Sequence, residues 1–242
     1  MKPCTAAASP APSPAPARPR KQPTTSSRAR PCSPRSPPAE HGRDWPLPAA
    51  NSTASAPPSE DTVHYALITD PAYAGGALND IAPVYESVFA EPPYLEGPRD
   101  LALFLDAYQC EHKTPGFRLV LARTGDGRLT GFAYGLPLAS TTGWWDGFLD
   151  TTPTAEFTRE DGRRTFVVKE LAVLANWRGQ GIGTKLHAAL LDGLTAERAT
   201  LTVRPEAPAA AWYERQGYEL VGHTRPWDGA PVYQTLVKPL HP

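Results

Sequence analysis

Three glycines at alternate positions mark the segment of the sequence with the clearest chemical meaning. They stand in WRGQGIGTKLHAALLDGL, residues 177–194, directly after an arginine and before a run with helical periodicity. Backbone without side chains can pass close around a ligand. The N–H groups at the start of a helix, together with the helix dipole, bind anions, and Arg178 adds a positive charge. The pattern predicts a pyrophosphate site, and the alternative is a glycine-rich turn without a ligand.

Two familiar glycine-loop motifs do not fit this segment. The P-loop pattern G-x-x-x-x-G-K-[ST] fails because Thr184 and Lys185 follow Gly183, which misplaces the lysine. The dinucleotide fingerprint G-x-G-x-x-G fails because its third glycine would have to stand at Thr184. An anion site of another kind is therefore expected.

The histidines and cysteines offer no second site. His64 and His223 have no acid or nucleophile at a recognisable spacing, and the sequence contains neither G-x-S-x-G nor a metal-binding pair of histidines. We interpret His187 as a surface residue of the helix after the loop. The three cysteines are odd in number and widely separated, so neither a disulfide framework nor a zinc site is expected. We interpret Cys110 as a small apolar filler, and hydrolase or metal chemistry has no support.

The glycine segment lies between a predicted strand, 165–173, and a helix that ends near residue 194. Apolar periodicity predicts further elements on both sides. Helices are expected at 75–93, 98–112 and 207–216, strands at 65–69, 199–203, 217–223 and 230–238, and a hairpin within 117–138. Residues 139–164 are irregular. This order predicts an α/β domain with a mixed, mostly antiparallel central sheet flanked by helices.

The first quarter of the chain has a different composition. Residues 1–60 are rich in proline and show neither helical nor strand periodicity, so they lack the apolar area that a core needs. They carry eight Lys/Arg and three acidic residues, a net charge of +5, which against −1 for the whole chain leaves −6 on residues 61–242. We therefore expect a disordered Pro-rich extension, 1–60, and one folded domain, 61–242.

Charge and hydropathy restrict the partners and the location. An acidic domain argues against nucleic acid as the main partner. No apolar run is long enough to span a bilayer or to form a signal-peptide core, so a soluble, cytoplasmic protein without a membrane partner is expected. A homodimer is left open.

The segment VVKELAVLANWRGQGIGTKLHAALL, residues 167–191, resembles the signature of the GNAT superfamily of acyl-CoA-dependent N-acetyltransferases. The family pattern is a strand, then [RQ]-x-x-G-x-[GA], then a helix, and the chain has Arg178, Gly181 and Gly183 at the fixed positions. AAAWYERQGYELVG, residues 209–222, resembles the second landmark of the family, a helix with a tyrosine and a short turn into a strand. The resemblance covers most of residues 62–242 and implies acetyl-CoA as the acyl donor.

The resemblance also assigns roles to the matched positions. Backbone groups of Leu171, Ala172 and Val173 would meet the pantetheine arm as an added strand would. The pyrophosphate of acetyl-CoA would lie on a loop made of Arg178, Gly179, Gln180, Gly181, Ile182, Gly183 and Thr184. The family often has asparagine seven residues before the landmark tyrosine, where this chain has Glu206, so a contact through that amide is not carried over.

Acetyl transfer to an amine needs a base and a group that stabilises the departing thiolate. An alkyl amine with a pKa of about 10 is mostly protonated at pH 7 and must lose a proton before attack. Glu170, beside the loop, is the candidate base, directly or through water; the alternative is a strand glutamate that faces solvent. Tyr213, the landmark tyrosine, is the candidate acid or hydrogen-bond donor to the thiolate, and simple packing of its helix is the alternative.

The acceptor is an amine of unidentified class, and a small molecule, a protein N-terminus and a lysine side chain all fit. A cluster of aromatic and acidic side chains would suit a cationic amine, unless its tryptophans belong to the core. The cluster comprises Trp144, Trp145, Asp146 and Asp150. The alternative function is a non-catalytic acyl-CoA-binding or interaction module with the Pro-rich extension as a docking arm. Loss of the tyrosine would have favoured that module, and Tyr213 is present.

Overall fold

The computed structural model describes residues 62–226 and 229–241. The predicted Pro-rich extension, residues 1–60, lies outside the described residues. The helices are α1 (Pro71–Gly76), α2 (Leu78–Phe89), α3 (Pro98–Glu111), α4 (Ala155–Thr158), α5 (Ile182–Leu191) and α6 (Pro208–Arg215), with a 3-10 turn at Ala175–Trp177. The strands are β1 (Val63–Ile68), β2 (Arg118–Thr124), β3 (Leu129–Pro137), β4 (Thr165–Val173), β5 (Arg198–Val203), β6 (Glu219–Thr224) and β7 (Tyr233–Pro239). No helix within the described ranges is long and apolar enough to cross a membrane.

One sheet of seven strands, in the order β1-β2-β3-β4-β5-β7-β6, forms the centre of the domain. β4 and β5 pair in parallel, and the other neighbouring strands pair antiparallel. The predicted mixed, mostly antiparallel sheet is therefore confirmed. A parallel pair needs a crossover connection, which the glycine segment and α5 provide.

Helices cover both faces of the sheet, and each face has its own apolar cluster. Alternate residues of β2 point to opposite sides, so Val120 packs with α5 and α6, whereas Leu119 packs with α2 and α3. Leu186 of α5 is fully buried on the first side, and Ile81 of α2 and Tyr108 of α3 are fully buried on the second. The amphipathic helices that the sequence predicts thus supply the two outer layers.

The predicted helix at 75–93 is two helices in the structure. Asp70 caps α1 by accepting hydrogen bonds from the N–H groups of Ala72 and Tyr73. Pro71 stands at the first helical position, which its fixed φ favours. Because these are capping signals rather than apolar periodicity, α1 begins earlier than predicted, and α2 already ends at Phe89. The other predicted elements are present with ends shifted by at most three residues.

Candidate active site

β4 and β5 separate at the centre of the sheet. Their pairing joins Thr165–Val167 to Arg198–Thr200, whereas β4 runs on to Val173 and β5 to Val203. In the described part of the chain, the later half of β4 pairs with β3 but not with β5. A strand edge of this kind presents N–H and C=O groups that can bond an extended ligand. The open half of β4 contains the predicted residues Glu170, Leu171, Ala172 and Val173.

A β-bulge sets the direction of Glu170. The register of β3 against β4 shifts by one residue, which leaves Lys169 as the extra residue. Before the bulge, Val168 packs on the side of α5 and α6; after it, Ala172 packs on the side of α2 and α3. Since Glu170 stands two residues before Ala172, the bulge turns its side chain towards α2 and α3.

The glycine loop leads from the end of β4 to the start of α5. Gly179 and Gly181 have φ angles of 76° and 77°, a left-handed backbone that favours glycine. A Cβ atom at either position would meet no heavy atom within 4 Å, so the space beside this backbone is open. The Gly181 carbonyl accepts the N–H of Lys185 at 3.1 Å and so starts α5. A helix N-terminus thus lies beside open, side-chain-free backbone, as an anion site requires.

The other predicted loop residues differ in what they can offer. Ile182 is buried, so only its backbone can reach a ligand. A Cβ atom added to Gly183 would lie 3.7 Å from Leu171 Cδ2, an ordinary contact distance. Gln180 and Thr184 are exposed and can offer side-chain donors as well as backbone N–H groups.

Arg178 holds the loop in place. Its Nε donates to the Val173 carbonyl at 2.9 Å, and its Nη1 lies 2.6 Å from a carboxylate oxygen of Glu91. The guanidinium therefore ties the loop to the end of β4 and to the segment between α2 and α3. Because a carboxylate already engages this charge, the backbone N–H groups are the stronger part of the anion site.

Glu170 is buried, with 4% of its surface exposed, and its Oε1 has no hydrogen-bond partner in the described part of the chain. Burial, followed by the negative charge of Glu96, raises the pKa of Glu170 well above its ordinary value. The alternative of a solvent-facing glutamate is therefore wrong. A buried, unpaired carboxylate is costly for stability, and a raised pKa makes it a stronger base than a carboxylate in water. Such residues are candidates for function.

Tyr213 of α6 is buried in the apolar cluster on the α5 and α6 side of the sheet, with 8% of its surface exposed. Its ring meets the rings of Trp212 and Tyr218 edge-on, with centroids 4.7 and 5.5 Å away. Burial, followed by the charges of Tyr94 and Glu170, raises the pKa of Tyr213. The hydroxyl therefore stays protonated at neutral pH and can donate a hydrogen bond, and it lies within electrostatic reach of Glu170.

The interpretation of His187 as a surface residue is wrong. The side chain is buried, and its Nε2 lies 3.0 Å from the Tyr218 hydroxyl. Its ring packs edge-on against Trp212 and Tyr213, with centroids 5.6 and 6.2 Å away. Burial lowers the pKa of His187 to about 4, so the imidazole is neutral at pH 7. His187 belongs to the aromatic cluster that supports Tyr213.

Four residues of the site were not predicted from the sequence: Tyr85, Tyr94, Glu96 and Tyr233. Burial and the charge of Glu170 raise the pKa of Tyr94 to about 12, and the same causes raise the pKa of Tyr85. Burial raises the pKa of Tyr233 against the charge of Arg204, and the charges of Glu96 and Glu170 add to the rise. The Tyr85 hydroxyl donates to Glu96 Oε2 at 2.5 Å. We call these four residues and Glu170 the Glu170 cluster. The available signal was the segment EPPYLEGP, which places a tyrosine and carboxylates between prolines in a short connection of two helices.

The aromatic and acidic residues predicted to bind a cationic amine lie elsewhere. Trp145 is 6% exposed, and its indole N–H donates to Glu160 at 2.9 Å. Trp144 and Trp145 pack with Val167 near the beginning of β4, at the other end of this strand from the glycine loop. Asp150 lies 2.6 Å from a histidine of β6. The alternative, that the tryptophans belong to the core, is therefore supported, and the cationic site is not placed at this cluster.

Three further expectations concern single residues and metals. Cys110 is exposed on α3, so its interpretation as an apolar filler is wrong; Phe104 and Tyr108 belong to the buried face of this helix. Glu206 is exposed and accepts a hydrogen bond from Arg204 Nε at 2.8 Å. Within residues 62–226 and 229–241, no group of three or more His, Cys, Asp or Glu side chains is arranged to hold a metal ion.

Comparisons with known proteins agree with this geometry. Residues 119–220 match the family model of the acetyltransferase (GNAT) domain. A search of curated protein sequences gives no match. Among solved structures, an acetyltransferase of the GNAT family from Desulfovibrio desulfuricans aligns with a TM-score of 0.50 and 16% identity over 74% of this chain and 100% of that chain.

Two other solved structures align equally well. Ard1 from Thermoplasma volcanium has a TM-score of 0.50 and 17% identity over 74% of this chain and 99% of that chain. An aminoglycoside 6'-acetyltransferase type Ii has a TM-score of 0.50 and 16% identity over 75% of this chain and 98% of that chain. At such low identity these alignments show the shared fold. The family model spans the glycine loop and the helix of Tyr213, so residues 119–220 match the GNAT acetyltransferase domain that the sequence motifs resemble.

Proposed function

We propose that residues 61–242 form an enzyme domain that transfers an acetyl group from acetyl-CoA to a primary amine. The observation that carries this proposal is the opening between β4 and β5, which joins an anion-binding loop to a buried carboxylate of raised pKa. The cytoplasmic location and the homodimer remain predictions from the sequence.

The donor side fits acetyl-CoA in two ways. The pyrophosphate would lie on the backbone of Gly179 and Gly181 at the start of α5, where no side chain blocks it. The pantetheine arm would bond the open edge of β4 between Leu171 and Val173. When bound, acetyl-CoA supplies an acetyl group as a thioester, and the reaction exchanges the C–S bond for an amide C–N bond.

The acceptor side needs a base. The acceptor amine has to lose a proton, and Glu170 is the buried carboxylate placed to receive it, directly or through water. In water, proton transfer from an ammonium of pKa about 10 to a glutamate is strongly uphill. Burial and the charge of Glu96 raise the pKa of Glu170, and they thereby reduce this gap.

Tyr213 is the group that we assign to the departing sulfur. Its raised pKa makes full proton transfer to a thiolate unfavourable, because a thiol has the lower pKa, about 8.5. A hydrogen bond from the neutral hydroxyl to the developing negative charge remains favourable in a buried site. The presence of both Tyr213 and an unpaired Glu170 supports catalysis over a non-catalytic acyl-CoA-binding module.

The direct test is the release of free thiol from acetyl-CoA by the full chain with a panel of amines. We expect amine-dependent thiol release together with an equal amount of acetylated amine. Gly181→Val should remove acetyl-CoA binding, because a branched side chain resists the left-handed backbone and fills the open space.

Gly193→Val is the matched control for this variant. Gly193 has a φ of 67° and equally open surroundings, but it lies beyond the other end of α5. Gly193→Val should strain the backbone as much as Gly181→Val does. It should leave the acetyl-CoA affinity, measured by calorimetry, unchanged. Equal loss of affinity in both variants would place the effect in the fold rather than in an anion site.

A second variant tests the assignment of Tyr213. Tyr213→Phe retains the ring packing and removes the hydroxyl, so kcat should fall by about 10²-fold with little change in acetyl-CoA affinity. Wild-type turnover of this variant would return Tyr213 to a packing role.

A further inference from the structure

Two carboxylates of the Glu170 cluster lack a cationic partner. Neither Glu170 nor Glu96 forms a salt bridge within the described residues, and Glu170 is nine-tenths buried with an unbonded Oε1. Unpaired negative charge in a partly dry site costs free energy, which a proton or a cation relieves, and burial raises the pKa values of both carboxylates accordingly. The site is therefore electrostatically incomplete without its ligand.

The basic side chains nearby do not fill this role. Each of them is already paired with another carboxylate, at the following N–O distances: Lys169 with Glu111 (2.8 Å), Arg178 with Glu91 (2.6 Å) and Arg204 with Glu206 (2.5 Å). Lys169 lowers the pKa of Glu170 and Arg204 lowers that of Glu96, but burial outweighs both effects, and neither cation forms an ion pair with these two carboxylates. A cation that enters the site has to come with the ligand.

Glu96 is held in a defined position at the site. The Tyr85 hydroxyl occupies its Oε2, and the Glu96 N–H donates to the Phe89 carbonyl at 2.9 Å. The preceding Leu95 has a φ of 52°, a conformation that residues other than glycine rarely adopt. A residue kept in such a conformation is typical of a functional segment, here the connection between α2 and α3. The half-buried Glu96 retains Oε1 for a ligand.

Glu96 and Glu170 cannot both be neutralised by one reacting amine. The acceptor nitrogen has to be uncharged when it attacks, and its proton passes to Glu170, so this pair becomes neutral during the reaction. The charge of Glu96 is not used in that step and needs a cation throughout. The rings of Tyr94 and Tyr233 in the same cluster can also contact a cation.

We propose that the acceptor is an amine that carries a second positive charge, and that Glu96 binds this charge. The substrate class is then the diamines and larger polycationic amines, with one nitrogen at Glu170 and another at Glu96. This inference rests on the proposed acetyl transfer. It moves the cationic preference from the tryptophan cluster, where the sequence suggested it, to the connection between α2 and α3.

The test compares matched amines on the full chain. We expect kcat/KM for 1,6-diaminohexane to exceed that for hexylamine by about tenfold or more, and 1,4-diaminobutane to exceed butylamine likewise, since a charge-assisted hydrogen bond supports such a factor. Glu96→Gln keeps the size of the side chain and an acceptor for Tyr85. It should raise KM for the diamines by about tenfold but not KM for the monoamines. Because the Glu96 charge raises the pKa of Glu170, any change in kcat should be the same for both classes of amine.

Glu86→Gln is the matched control, because it removes one negative charge from an exposed position of α2. It should retain the full preference for diamines. Equal kcat/KM for diamines and monoamines in the wild type would overturn the proposal, and so would an equal loss for both amines in Glu96→Gln. If no amine is acetylated, the acetyl-transfer proposal fails. Calorimetry with 1,6-diaminohexane then decides about Glu96: binding that the wild type shows and Glu96→Gln weakens about tenfold supports it, and equal or absent binding refutes it.

Discussion

Two buried glutamates at opposite ends of β4 have opposite surroundings. Glu160, just before the strand, accepts three hydrogen bonds on Oε1, from Trp145, Thr165 and Arg198, at 2.7 to 3.0 Å. Its Oε2 has no hydrogen-bond partner, but its charge is paired with Arg198. Glu170, on the open half of the strand, has an unbonded buried Oε1 and no ion pair within the described residues.

The difference distinguishes a carboxylate that stabilises the fold from a carboxylate that is available to a ligand. A buried charge that is paired and hydrogen-bonded fixes neighbouring elements, and here it joins the irregular segment 139–164 to β4 and β5. The Arg198 guanidinium also stacks on Trp145 and Phe157, 4.7 and 4.4 Å from the ring centroids. A buried charge without a partner is instead available to a ligand. Both glutamates are buried, so hydrogen bonding and pairing, not burial, distinguish the two roles.

The largest expected effect comes from removing the hydrogen-bonded carboxylate, Glu160. Glu160→Ala should destabilise the fold by about 3–5 kcal/mol, because it leaves the Arg198 charge buried without its carboxylate. The measurement is the free energy of unfolding in urea. Glu197→Ala is the control. The Glu197 side chain is 68% exposed and pairs with Arg164, so its removal should lower the free energy of unfolding by less than about 1 kcal/mol. A loss below about 1 kcal/mol for Glu160→Ala as well would show that the network does not hold the segment.

The next effect concerns His187, a buried titratable group that has a neutral partner. Its pKa in the folded protein, about 4, lies below the ordinary value of 6.5, so its contribution to stability is complete above pH 6.5 and is lost as the pH falls towards 4. The loss should approach roughly 3 kcal/mol. Unfolding free energies of wild type and His187→Gln at several pH values check this, since the variant should lose less stability in that window. Parallel pH profiles would mean that His187 titrates normally.

The smallest expected effect comes from changing the carboxylate without a partner, Glu170. Glu170→Gln should lower kcat by about 10²-fold, or about 2.7 kcal/mol of activation free energy, and flatten the rise in rate between about pH 6 and pH 8. The fold should not suffer. A carboxyl whose folded pKa is raised loses stabilisation as the pH rises through that pKa, so ionisation of Glu170 is unfavourable for the fold.

The same variant therefore separates the two ends of β4. The melting temperature of Glu170→Gln should equal or exceed that of the wild type, with a gain that grows as the pH rises. A variant that is less stable and fully active would make Glu170 a second structural carboxylate like Glu160.

The sequence alone determined the elements and the donor loop of this protein. Strand β4 and the glycines before α5 are local signals: a run of apolar residues, three side-chain-free positions and a helix start follow one another directly. Glu170 and Tyr213 could be named because each stands at a fixed distance from a motif along the chain. The crossover at α5 also follows from such elements, since a parallel pair of strands has to be joined in this way, whereas the place of β7 between β5 and β6 does not.

Only the tertiary structure decided which polar side chains share a site. Glu96, Glu170 and Tyr233 come from distant parts of the sequence, and no local pattern states that their charges influence one another. Trp145 looked equally suited to a ligand or to the core until Glu160 and Arg198 were placed beside it. Burial, pairing and the resulting pKa depend on neighbours that long-range packing provides, whereas periodicity and turn chemistry depend on adjacent residues.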